Sequence, residues 1–322
     1  MLGYILVPLD GSPLAECVLP HAIAIAKAFK SKIALLHILQ QPAPSLRLPK
    51  TDPLDWYLKR SEANLYLETV EARLNASGVP TETMILEGNA VEKIVEVAHS
   101  AQADLLILSG YGETDLNGEG VSSITQHILQ RVRISTLIIR TSQPLADSND
   151  EVHYHRLLAP LDGSQRAGSA LMMAAAFAGV YQSELLLVHV VSKPEMARLM
   201  PLSQEDSALI NRCIERNQSE GNTYLEQVRT RLAMNVQTRL LVSDNVAATL
   251  QSVSEQEQID LLILSAHGYS GEARWPYGSI TSRFITNGTT PLLIVQDLLQ
   301  GSAETARGET ETRQPVRQAD DI

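Results

Sequence analysis

Tyr4-Ile5-Leu6-Val7-Pro8-Leu9 is an uninterrupted apolar run, the pattern of a strand covered on both faces. Ser12 then offers a helix N-cap and Pro13 suits a first helical position, predicting a helix that runs to about Phe29. A second apolar run, Ile33–Leu39, predicts another strand. The segment 40–52 carries Pro42, Pro44 and Pro49 and reads as loop. From near Pro53 the apolar positions switch to helical spacing at Ala63, Leu67, Val70 and Leu74, with Gly78 as the stop. Strands at Thr81–Glu87, Asp104–Ser109 and Thr136–Arg140 alternate with helices at Ala90–Ser100 and near Ser123–Arg131. Strands alternating with helices predict a parallel sheet with right-handed crossovers.

The pattern then starts again. Ile5-Leu6-Val7-Pro8-Leu9-Asp10-Gly11-Ser12 recurs as Leu157-Leu158-Ala159-Pro160-Leu161-Asp162-Gly163-Ser164, and Ile33-Ala34-Leu35-Leu36-His37-Ile38 recurs as Leu185-Leu186-Leu187-Val188-His189-Val190. Ala103–Ser109 recurs as Ile259–Ser265, and Thr136-Leu137-Ile138-Ile139 aligns with Pro291-Leu292-Leu293-Ile294. Four blocks in one order make a duplicated domain. The expected fold is α/β: two tandem doubly wound domains, each a five-stranded parallel sheet of order 3-2-1-4-5 flanked by helices. The expected boundaries are 1–145 and 152–298, joined by the polar Thr141–Glu151 and followed by a polar tail, 301–322, that reads as disordered.

The 322-residue length suits two domains, and the 44% apolar content suffices for two cores. A formal charge of -11 argues against a general nucleic-acid binder, because phosphate backbones repel an acidic surface. Cys17 and Cys213 are isolated and form no disulfide framework. No stretch of 18 apolar residues predicts a membrane span, and Met1–Ile5 runs into a strand without the basic region of a signal peptide, so a cytoplasmic location is expected.

In open α/β sheets, ligands sit beyond the carboxyl ends of the strands where strand order reverses. After the second copy's fourth strand come Ser265-Ala266-His267-Gly268, then nine residues, then Gly278-Ser279-Ile280-Thr281 opening a helix. Gly268 and Gly278 would let backbone approach an anion, and the helix start supplies free N–H groups and the positive end of a dipole. The Ser279 and Thr281 hydroxyls would add donors. Together these form a cradle for a polyphosphate, although glycines and a serine also suit an ordinary loop and cap. Asp162 ends the first strand of this copy. It could accept from an adenine amino group or a ribose hydroxyl, help hold a metal ion, or simply form the Asp-Gly-Ser turn. His267 is a candidate ligand contact, and Arg274 and Arg283 are candidate phosphate contacts or surface residues. Repetition of His37 and His189 at strand ends suggests a structural role. The i, i+2 pair His153 and His155 reads as a solvated linker end. No Gly-x4-Gly-Lys-(Ser/Thr), Gly-x-Ser-x-Gly or His-Glu-x-x-His motif is present, so no catalytic residue is assigned.

On these residues the chain resembles a tandem universal stress protein. Nucleotide-binding members of that family carry Gly-x2-Gly-x9-Gly-(Ser/Thr) and an Asp at the end of the first strand. The resemblance spans about Tyr4–Arg140 and Arg156–Gln296. It implies an adenine nucleotide, ATP or AMP, with Mg2+ as an accompanying ion. Asp162, with Pro160 and Leu161 before it, and the Val190 backbone would face the adenine side. Ser265, His267 and Gly268 would line the ribose and phosphates, and Gly278, Ser279, Ile280 and Thr281 would hold the terminal phosphates. Ser265 departs from the motif's first glycine. The first copy departs further, with Ser109-Gly110-Tyr111-Gly112 and, nine residues on, Ser122-Ser123-Ile124-Thr125. Its weaker equivalents are Asp10, Ile38, Gly112, Ser122, Ser123 and Thr125. Glu113, Asp115 and Glu119 crowd its loop, and an acid 4 Å from a phosphate costs on the order of 1 kcal/mol in water. Weak or absent binding is therefore expected in the first copy. The implied role is a nucleotide-binding stress-response regulator acting on an unknown protein partner. The alternatives are a scaffold module that binds no nucleotide and a slow ATPase. Family members dimerise through the last strand, so the two halves are expected to pair with each other, with a homodimer as a further arrangement.

Overall fold

The computed structural model describes residues 2–40, 53–110, 121–140, 152–193, 203–232, 234–269 and 276–296. Gly112, the three loop acids, Arg274, Trp275, the joint at 141–151 and the tail lie outside these residues.

The first half contains β1 (Tyr4–Pro8), a 3-10 turn (Ala15–Val18), α1 (Leu19–Phe29), β2 (Lys32–Leu39), α2 (Pro53–Ala76), β3 (Thr81–Glu87), α3 (Ala90–Ser100), β4 (Leu105–Ser109), α4 (Ser123–Arg131) and β5 (Ser135–Ile139). The second half repeats it as β6 (Arg156–Pro160), α5 (Gln165–Tyr181), β7 (Glu184–Ser192), α6 (Gln204–Leu232), β8 (Val236–Ser243), α7 (Val246–Gln256), β9 (Leu261–Ser265), α8 (Ser279–Asn287) and β10 (Leu292–Val295). Both halves show the expected strand order, and they merge into one ten-stranded sheet, β3-β2-β1-β4-β5-β10-β9-β6-β7-β8. All pairings are parallel except β5 with β10, where Leu137 opposes Leu293 in an antiparallel register. That pairing consumes both last-strand edges, so self-association of the chain would have to use another surface.

Two expectations are corrected by the structure. The first helix does not start at Ser12–Pro13. Ser12 Oγ accepts the Ala15 N–H at 3.1 Å ahead of a 3-10 turn, which passes through right-handed helical Val18 directly into α1 at Leu19. Pro20 explains why α-type bonding starts late: it has no N–H to donate four residues back, but it fits a helix's first turn. In the second copy no proline intervenes, and Ser164 caps α5 directly. The last repeat block also shifts by one residue. Ser109 pairs with Ile139 and Ser265 with Val295, so Thr136–Ile139 matches Leu292–Val295 rather than Pro291–Ile294. An apolar run slides past another without changing its pattern, so only the sheet register fixes the alignment.

Two apolar cores, one on each face of the sheet, both run across the two halves. On one face α1 meets α5 through an aromatic cluster, with Phe29 4.9 Å from Phe177 and Tyr154 5.2 Å from Tyr181 between ring centroids. His21 of α1 shares a 2.8 Å hydrogen bond with the Tyr154 hydroxyl. Tyr154, between the two histidines that read as a solvated linker end, is only 1% exposed.

Candidate functional site

In each half, β1 or β6 lies between strands that the chain reaches in opposite directions. The cleft beyond the carboxyl ends of β6 and β9 is therefore a switch point. A cavity of about 650 Å³ opens there. All eleven second-copy residues expected from the sequence line it: Pro160, Leu161, Asp162, Val190, Ser265, His267, Gly268, Gly278, Ser279, Ile280 and Thr281. Tyr277, which the sequence offered as a nucleotide cover or a loop brace, lines it too; sequence reasoning missed Val188, Val246, Leu250 and Leu264, which complete the apolar wall with Tyr277, and also Ala167, Ser192 and Tyr269. The wall residues sit on elements far apart in sequence, and their spacing marks them only as core.

The strand ends build one side. Leu161 N–H donates to Val188 O at 2.8 Å, so two residues further on the Val190 N–H and C=O face the same way, past the end of β6. An amide edge with one donor and one acceptor is thereby turned toward the cleft. Gly163, at φ 78, makes the turn that Asp162 stabilises by accepting the Ser164 N–H at 2.9 Å. The second Asp162 oxygen accepts the Tyr269 N–H at 2.6 Å and so joins the two loops flanking the cleft. A Cβ on Gly268 would crowd that oxygen and push the carboxylate out of this position. The turn role of Asp162 is thus met, and its carboxylate also shapes the site.

His189 keeps this corner in place. Its Nδ1 hydrogen-bonds Leu161 O at 2.7 Å, as His37 does with Leu9 O at 2.9 Å. Burial pulls the His37 pKa down, against smaller opposing effects of the Leu9 bond and of Asp10. The repeated histidines therefore do structural work. Burial, and then the Asp162 charge, raise the pKa of Tyr224, whose ring stands edge-on to His189. Burial likewise pushes the Tyr277 phenol up.

The other side is the start of α8. Its N-cap, Gly278, provides no side-chain cap, and among the described residues no side chain serves the first-turn amides of Ser279, Ile280 and Thr281. The Thr281 hydroxyl, expected as a phosphate donor, instead donates to Ser265 O at 2.8 Å, leaving its amide for a ligand. Ser265 Oγ donates to His267 O at 2.7 Å and braces the loop where the family motif has glycine. Gly278 sits at an ordinary φ of -68, and a Cβ there would meet nothing closer than 3.6 Å. Its glycine is therefore required neither by backbone conformation nor by packing against the described residues. What it does is leave the helix end bare.

The first half shows the contrast. Ser122, in the place of Gly278, caps α4 by accepting the Thr125 N–H at 3.1 Å. Its own side chain thus occupies the amide edge that α8 leaves open. Ser109 Oγ turns away to Leu14 O at 3.1 Å. The cavity there is about 100 Å³; Asp10, Ile38, Ser122 and Thr125 line it, and Ser123 does not. No group of three or more His, Cys, Asp or Glu residues gathers at metal-binding spacing among the described residues, His153 and His155 included. No helix among them is long and apolar enough to cross a membrane.

The profile of the Universal stress protein family matches this chain twice, over residues 1–140 and 153–296. A universal stress protein of Methanocaldococcus jannaschii is 27% identical over 138 residues, 42% of this chain and 81% of that protein. One from Synechocystis is 25% identical over 150 residues, 43% of this chain and 97% of its own length. Among solved structures, a universal stress protein from Archaeoglobus fulgidus superposes with a TM-score of 0.67 at 16% identity, covering 92% of this chain and 99% of the other. A protein of unknown function from Pseudomonas aeruginosa gives 0.66 at 12% identity, with 91% and 92% covered. These likenesses establish a shared two-half fold. With the double profile match across nearly its whole described length, the chain belongs to the universal stress protein family and carries that family's domain twice in tandem.

Proposed function

We propose that this protein is a stress-response regulator that binds an adenine nucleotide, ATP or AMP, in its second half. The observation that carries this reading is the bare first turn of α8 at the mouth of the larger cavity, set against the serine-capped α4 beside the smaller one. Phosphates would sit on the Ser279–Thr281 amides, where unpaired N–H groups and the helix dipole both favour negative charge. Adenine would lie against the apolar wall, its edge read by the Val190 N–H and C=O. Mg2+ carried with ATP would meet Asp162, whose oxygens already accept two backbone N–H groups, so phosphate and water would supply most of its ligands. The first half, with its amide edge filled, would bind nucleotide weakly or not at all. A cytoplasmic location and a protein partner that reads the occupied loop complete the proposal.

The test is mass spectrometry of small molecules released from the denatured, purified protein, with ATP titration of the full chain. Adenine nucleotide that is lost on Gly278→Val supports the reading. Absence of nucleotide together with no calorimetric signal at millimolar ATP and Mg2+ refutes it and favours a scaffold role.

A further inference from the structure

The far end of α8 is held by the other half of the molecule. Arg140, the residue after β5, donates from Nη1 to Gly288 O and from Nη2 to the Phe284 and Ile285 carbonyls, the latter two at 2.6 Å. These carbonyls belong to the last turn and cap of α8, where a cation is favoured by the dipole; Phe284 O also accepts the Gly288 N–H at 3.0 Å. The side chain does this from a buried position, 9% exposed. Its three acceptors converge on one planar guanidinium, a fork that a lysine lacks.

The arrangement breaks the symmetry of the repeat. Gln296 stands where Arg140 has its counterpart, and its backbone N–H goes to Ser135 Oγ at 3.3 Å. The stem of Arg140 also touches the junction of β4 and α4 in the first half. A Cβ on Gly110 would lie 3.1 Å from Arg140 Cγ and 3.2 Å from Ile139 O. Gly110 O in turn accepts the N–H of Ser122, the N-cap of α4, at 2.8 Å. A continuous packed path therefore runs from Ser122, the N-cap of α4, through Gly110 and Arg140 to the helix whose other end faces the large cavity.

We propose that Arg140 is a cross-domain positioning residue: it anchors α8 so that the bare amides of Ser279–Thr281 stand at a fixed place in the cleft, and through its contact with Gly110 it couples ligand affinity in the second half to the junction of β4 and α4 in the first. The coupling to affinity rests on the nucleotide reading above; the anchoring does not. A nine-residue helix is about 14 Å long, so tilting its held end moves its free end across the cleft. Coupling through packed contacts of this kind changes affinity by roughly 5- to 150-fold.

The experiment uses the full chain with ATP as probe. Wild type, Arg140→Gln, Arg140→Lys and Gly110→Ala are titrated by calorimetry, and amide exchange is followed at Ser282, whose N–H closes the first turn of α8 on Gly278 O at 2.9 Å. Arg140→Gln is expected to weaken ATP binding about tenfold and speed Ser282 exchange about tenfold, with Arg140→Lys between it and wild type. Gln126, the matching amide on α4, should keep its protection. A folded Arg140→Gln with unchanged affinity and unchanged Ser282 exchange overturns the proposal. If that variant does not fold, Gly110→Ala decides: several-fold weaker ATP binding from a change in the first half supports the coupling, and wild-type affinity overturns it. If wild type binds no ATP, the nucleotide reading and the affinity coupling fall together, and Ser282 exchange alone decides whether Arg140 anchors the helix.

Discussion

Replacing Gly278 with serine should make the protein slightly more stable and a much poorer nucleotide binder. A Cβ at this position would have its nearest neighbours, Gly268 N and His267 Cα, at 3.6 Å, which is ordinary contact. The backbone already has the extended N-cap conformation, φ -68 and ψ 165, close to the -54 and 150 of Ser122. The new Oγ would therefore accept the Thr281 N–H as Ser122 accepts that of Thr125. Serine in place of glycine at an N-cap stabilises by a few tenths of a kcal/mol. The same hydroxyl removes an amide from the ligand. A hydrogen bond to a charged group contributes about 1.5–3 kcal/mol, so affinity should fall roughly 10- to 100-fold. Calorimetric titration with ATP and Mg2+, alongside thermal melting without ligand, reads both quantities. Opposite signs, a steady or raised melting temperature with lost affinity, are the expected signature. Retained wild-type affinity in a folded Gly278→Ser protein would refute the bare-helix account of the site.

Further outcomes follow from single contacts. Gly268→Ala should break the bond from Tyr269 to Asp162, because its Cβ would fall 2.4 Å from the carboxylate; a loss of about 1–3 kcal/mol in denaturant melts, with weaker ATP binding, is expected. Gly221→Ala within α6 sets helix propensity, a gain of about 1 kcal/mol, against a Cβ placed 2.7 Å from Leu240 Cδ1 and 2.8 Å from His189 Cδ2. Since His189 is tied to Leu161 O, its ring cannot give way freely, and a net loss of about 1–2 kcal/mol should appear in urea unfolding. His21 is held neutral by burial, its pKa drawn from 6.5 down to about 4. The unfolded chain takes up that proton first, so this contribution is intact above pH 6.5 and is lost as pH falls toward about 4. Wild type should therefore lose about 2–3 kcal/mol more than His21→Gln between pH 7 and pH 4.5; parallel pH profiles for the two would count against a buried neutral imidazole.

The order of elements, the duplication and the place of the cleft were legible in patterns along the chain. Apolar runs such as Tyr4–Leu9 and the helical stripe through Ala63, Leu67, Val70 and Leu74 are local signals, and local periodicity sets the element type. Gly278 was legible as a helix start for the same reason, whereas Ser122 read only as a weaker phosphate contact and its capping of α4 came from the structure. The exact pairing of the last block was not legible, since a uniform apolar run has no mark to fix its register. Nor was the 3-10 opening ahead of Pro20 read over the stronger start signal at Ser12–Pro13. Arg140, Tyr154 and the aliphatic wall of the cleft carried no local sign of their roles. Arg140 finds its acceptors 144 to 148 residues further along, and Tyr154 reaches back 133 residues to His21. Only when β5 and β10 pair does the sheet bring these groups within reach, because long-range contacts depend on where whole elements dock rather than on what stands beside a residue in the chain.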